Sequence, residues 1–185
     1  MALALPRGVV LLLAALAAIT FLVEGAILDW SALLLNDMGL VTEAQGGLGY
    51  MIFAVSMMIG RFTGDWVVNR LGGRRILLLG GLVMLFGFLV LLFASWTPLA
   101  LAGFLFIGLG AANIVPVLYS QAGRQQVMPT GMAIAAMTIC GYAGILIGPA
   151  VVGFISHATS LLVGFWFLAS LVLALPITAR SVTRE

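Results

Sequence analysis

Six apolar stretches, each close to or longer than the ~20 residues a helix needs to cross a ~30 Å hydrocarbon core, limit what this chain can become. They cover approximately residues 8–35, 46–69, 75–94, 98–121, 130–154 and 159–179. Short polar segments divide them: NDMGLVTEAQGG, NRLGGRR, SWTP, AGRQQVMPT and SHATS. In lipid a backbone must satisfy its own hydrogen bonds, so runs of this length predict helices. The ten-residue alternation of barrel strands is absent. With 63% hydrophobic and 8% charged residues, the chain lacks the polar surface of a soluble domain. The expected fold is therefore an all-α integral membrane bundle of six transmembrane helices, forming one domain over residues 1–185. The first stretch begins like a signal sequence behind Arg7, but its apolar character runs on to Leu35. It reads as a retained first helix.

Arginine placement predicts orientation. With a cytoplasmic amino terminus, Arg7, Arg70, Arg74, Arg75, Arg124, Arg180 and Arg184 all fall inside, and no arginine falls in an outer loop. Both termini are then cytoplasmic, and the expected location is a bacterial inner membrane. All eight basic residues are arginine. Without lysine there is no phosphate-binding GxxxxGK[ST] loop, and one His with one Cys (Cys140) supports neither a zinc site nor an internal disulfide. No basic stripe with interleaved aromatics marks a nucleic-acid partner. The reading is of a non-enzyme, with no cofactor or metal expected.

Four stretches carry polar or conformational signals inside the apolar background. In FLVEGAILDWSALLL, Glu24 lies about 24 Å along the first span at 1.5 Å per residue, a little outward of mid-membrane. Asp29 follows near the outer boundary, about 140° round the helix from Glu24. Carboxylates at such depth face a bundle interior or a watery cavity and handle protons or polar solutes, or are held by a neighbouring helix with no role in turnover. Trp30 reads as an interfacial anchor. In GRFTGDWVVNRLGGRR, Arg61 and Asp65 stand four residues apart and can pair on one helical face. Arg70, Arg74 and Arg75 offer further guanidinium groups to Asp65 as a conformational latch, or serve only as a topology signal. In GLGAANIVPVLYSQAGR, Asn113 near mid-membrane either lines a cavity or bonds between helices, and Pro116 frees a carbonyl that kinks the span. In GYAGILIGPAVVGF, Gly144, Gly148 and Pro149 predict a closely packed helix that is flexible or kinked, as Gly60 and Gly64 predict close packing earlier in the chain.

Together and in this order, these four stretches resemble the second half of a major facilitator superfamily transporter. GRFTGDWVVNRLGGRR resembles the signature between the second and third helices of each half, with Asp65 one residue later than the common spacing. The other three look most like the fucose-permease-like and MosC-type branch. The resemblance implies two inverted three-helix repeats, with the first and fourth helices lining a central cavity and the second and fifth facing another half. It implies proton-coupled or facilitative transport of a small polar solute, of sugar or cyclitol class, by alternating access. In that reading Glu24 and Asp29 take protonation or substrate hydrogen bonds, and Asn113 orients substrate. The partners implied are the solute, membrane lipid and a second six-helix half, from the same gene, a split gene or a homodimer. Efflux of amphipathic compounds and a non-transporting membrane partner or remnant are the alternative functions.

Overall fold

The structure is a computed structural model that describes residues 6–183, so Arg184 lies outside the described residues. Among these, the chain forms α1 (Val9–Asp37), α2 (Leu48–Phe62), α3 (Gly64–Leu71), α4 (Gly73–Leu92), α5 (Thr97–Ala111), α6 (Ile114–Arg124), α7 (Thr130–Ala158), α8 (Leu161–Val172) and α9 (Ala174–Val182). Five helices or end-to-end pairs are long and apolar enough to cross a membrane: α1, α4, α5–α6, α7 and α8–α9. A sixth crossing exists when α2 and α3 count as one span, and these two are bent by 61°. The second span expected over residues 46–69 is thus present as two helices with a bend between them.

Each break has a local cause. Pro116 has no amide to donate to the Ala112 carbonyl four residues back, and α5 gives way to α6 at Asn113 (φ −107°, ψ 0°). Pro176 does the same to Val172, and α8 passes to α9 at Leu173. The α2–α3 break contains no proline. There the Thr63 hydroxyl donates back to the Ile59 and Gly60 carbonyls at 3.3 and 3.2 Å. Side-chain insertion into the backbone ladder bends helices in this way.

Pro149 behaves differently, because α7 continues through it as one 29-residue helix. The Ile145 carbonyl that it deprives of a donor lies against Gly25 of α1, where an added Cβ would sit 2.6 Å away. Proline in this helix is tolerated because its neighbour covers the freed group.

Close approach between backbones holds the bundle together, since apolar side chains gain little from one another over lipid. Ala18 and Leu22 of α1 rest on Gly144 and Gly148 of α7, while Gly80 and Gly110 meet each other's backbone between α4 and α5. Phe53, Phe88, Phe104 and Phe165 fill the interior. The first and last three spans exchange partners in a regular way: α1 packs on α7, α2 on α5, and α4 on α8 and α9. This is the pairing that two three-helix repeats related by a two-fold axis produce. α7 has only 22% of its apolar window buried, against 61% for α5–α6, so α7 offers most of its surface outward.

Candidate functional site

Glu24 projects from the middle of α1 toward α2, and its side chain is 13% exposed. Arg61, in the last turn of α2, places Nη2 3.8 Å from Glu24 Oε1, the one ion pair among the described residues. That distance exceeds hydrogen-bond range. Glu24 Oε1 is buried and has no hydrogen-bond partner. A carboxylate oxygen in this state is an acceptor awaiting a donor, whether a proton, a solute hydroxyl or amine, or a closer guanidinium. Beside it opens a groove of about 550 Å³, lined by Glu24, Tyr50, Phe53, Ala54, Met57, Met58, Arg61 and Phe62. Apart from Glu24 the lining comes from α2, whose positions 50, 54, 57, 58 and 61 fall on one helical stripe.

A second cavity, of about 480 Å³ and more polar, lies between α3 and α6. Asp65 and Asn69 line one wall, Pro116, Ser120, Gln121 and Arg124 the other, and Arg61 and Asn113 the end. Arg61 therefore borders both cavities. This second cavity belongs to the end of the bundle where the arginines gather, and a third cavity there is lined by Gly8, Arg124 and Val182.

The structure separates residues that the sequence reading grouped. Arg61 pairs with Glu24 and not with Asp65, because the 61° bend at Thr63 takes the two out of one continuous helical face. Arg70 stacks over the Trp66 ring at 4.8 Å, and neither it nor Arg74 or Arg75 lies within ion-pair distance of Asp65. Asp29 is exposed and does not line the Glu24 groove. Trp30 is more than an interfacial anchor: its indole N–H donates to the Pro149 carbonyl at 3.0 Å, and its ring covers Gly153.

Asn113 packs between two spans as well as bordering the polar cavity. Its amide donates to the Gly60 carbonyl at 3.0 Å, and its Oδ1 stands where a Cβ on Gly64 would need to be. It thus fastens the break in the α5–α6 span to the break in the α2–α3 span, away from Glu24. Asn113→Ala is expected to lower stability by about 0.5–2 kcal/mol, the range for interhelical hydrogen bonds in membranes. A detergent thermal-unfolding series that shows no loss would refute this fastening role.

A bundle of broken and unbroken apolar spans, packed by glycine and enclosing a charge pair beside a groove, defines a polytopic membrane protein. The sequence over residues 41–184 matches the Major Facilitator Superfamily. An uncharacterized MFS-type transporter of Yersinia pestis is 44% identical over 97% of this chain and 47% of its own length. An uncharacterized transporter of Sinorhizobium fredii is 33% identical over 99% of this chain and 48% of its own length. Membrane protein MosC of Rhizobium meliloti is 36% identical over 77% of this chain and 35% of its own. The chain belongs to the Major Facilitator Superfamily, and it spans about half the length of the curated relatives it matches. A crystal structure of the peptide transporter POT, a mutant in complex with alafosfalin, superposes with a TM-score of 0.75 at 19% identity. It covers 95% of this chain, which in turn covers 40% of that structure, and it corroborates the half-superfamily fold.

Proposed function

We propose that this chain is one half of a secondary carrier that moves a small polar solute, of sugar or cyclitol class, by alternating access. The observation that carries the reading is the buried Glu24 oxygen without a donor beside the α2-lined groove. Intramembrane carboxylates of this kind border solute or proton paths, and Glu24 is the group that takes a proton or a solute donor. A second six-helix bundle, from the same gene, a split gene or a second copy, completes the cavity. Its docking faces are the outward apolar surfaces of α7 (Ile139, Tyr142, Leu146) and α2 (Met51, Val55, Met58). The arginine-rich end faces the cytoplasm of a bacterial inner membrane, following the positive-inside bias.

The test is uptake in vesicles that carry a transport-competent assembly. Glu24→Gln is expected to lower uptake of the solute at least tenfold and to flatten its pH dependence. Unchanged uptake with unchanged pH dependence would remove Glu24 from the mechanism. Export of amphipathic compounds is the second reading, favoured by Met57, Met58 and the exposed Phe62 on the groove wall. The solute panel therefore includes sugars, cyclitols, small peptides and cationic dyes in the same vesicles. Dye export without sugar or cyclitol uptake would decide for the second reading.

A further inference from the structure

Among the described residues, Arg61 is the one that lines both the Glu24 groove and the polar cavity between α3 and α6. Its side chain is half exposed, and its contact with Glu24 at 3.8 Å is an open one. On the other side stands a second carboxylate, Asp65, four residues further along the chain and without an ion-pair partner within 4.0 Å among the described residues. Charged groups facing Arg61 are Glu24 from α1, Asp65 from α3 and Arg124 from α6, while α5 carries no charged residue at all. A guanidinium on a long flexible stem, placed between two acceptors in two cavities, has two seats.

We propose that Arg61 exchanges partners. While Glu24 is ionised and unoccupied, the guanidinium stays with it and the α3–α6 cavity is open. When Glu24 is neutralised by a proton or engaged by a cationic group, its hold weakens. Arg61 then swings into the inner cavity to pair with Asp65. Arg124 repels it from the α6 wall and directs it toward α3. Asn113, bonded to the Gly60 carbonyl next in chain to Arg61, fixes the pivot of this side chain. The state of Glu24 is thereby transmitted to the arginine-rich end of the bundle with no movement of α1. The inference rests on Glu24 as the group that changes charge, but its test requires no transport.

The experiment uses the chain in detergent with Cys140→Ser and Ser120→Cys, which puts a thiol on the exposed α6 wall of the inner cavity. The rate of labelling by a bulky charged maleimide reads whether that cavity is filled. Glu24→Gln is expected to slow labelling at least threefold, and Asp65→Asn added to it to restore the rate. Glu24→Asp, which keeps the charge, should label at the starting rate. An unchanged or faster rate in Glu24→Gln, or a slow rate that persists in Glu24→Gln/Asp65→Asn, would overturn the exchange.

Should Glu24→Gln fail to fold, the exchange is read on unaltered Glu24 by lowering pH. Rates are normalised to a thiol at Gly131→Cys, an exposed position with nothing within 4 Å. The normalised rate should fall toward acid pH only when Asp65 is present, and a fall that is equal in Asp65→Asn would refute the proposal. Uptake that is insensitive to Glu24→Gln would instead strike at the carrier reading, so the two failures are distinguishable.

Discussion

Gly144→Val is expected to remove most of the folded protein, while Gly131→Val on the same helix leaves yield and stability unchanged. A Cβ at position 144 would lie 2.2 Å from the Ala18 carbonyl oxygen and 2.9 Å from its carbon, whereas one at 131 meets nothing within 4 Å. Backbone cannot rotate aside as a side chain can, so α1 and α7 must separate by roughly an ångström or more to reach ordinary contact. Overpacking commonly costs 1–3 kcal/mol. Here the value is expected at or above ~3 kcal/mol, because separation also strains the Trp30–Pro149 hydrogen bond and uncovers the Ile145 carbonyl held against Gly25. Thermal-unfolding midpoints and monodisperse yields of the two variants in detergent provide the check. Equal behaviour at 144 and 131 would mean that α1 and α7 do not meet through glycine.

Arg61→Glu carries the second large effect. It sets two carboxylates about where one pair now stands at 3.8 Å, with Glu24 largely buried. Repulsion between like charges ~4 Å apart runs from ~1 kcal/mol in water to ~4 kcal/mol at an effective dielectric of 20. The half-exposed position 61 falls between these limits. Folded yield should drop, and uptake by a competent assembly should fall more than tenfold. Glu24→Arg/Arg61→Glu restores opposite charges across the groove and should recover yield. It should not recover uptake, since the reversed pair sends a carboxylate toward Asp65 where a guanidinium is required. Recovery of both would reduce the pair to a structural ion bridge.

The span pattern was legible because hydrocarbon imposes length and apolarity on every crossing helix, and Pro116 announced its own break. The α2–α3 break was not legible. Thr63 bends the chain only because its hydroxyl turns back on the ladder while Asn113 reaches across from another span, and sequence spacing does not show which partner a polar side chain will meet. Pairing Arg61 with Asp65 from their spacing assumes an unbroken helix between them, and the 61° bend at Thr63 removes that assumption, leaving Arg61 beside Glu24. The stripe of Tyr50, Ala54, Met57, Met58 and Arg61 was present in the spacing. Spacing does not mark it as a site, because Tyr and Met in an apolar helix look the same whether they face a groove or lipid. For Asn113 the sequence leaves cavity and helix contact equally open, and the side chain makes both, bonding the Gly60 carbonyl while bordering the cavity between α3 and α6.

The interrupted spans bear on how such a chain enters a bilayer. α2 has 15 residues and α6 has 11, or about 22 and 16 Å of helix. Neither alone reaches across ~30 Å of hydrocarbon. α1, α4 and α7, with 29, 20 and 29 residues, each can. During synthesis the three uninterrupted columns can partition into lipid on their own strength. The end-to-end pairs α5–α6 and α8–α9 are long and apolar enough to do the same, so α2–α3, bent by 61°, is the span that most needs neighbours already seated as it enters.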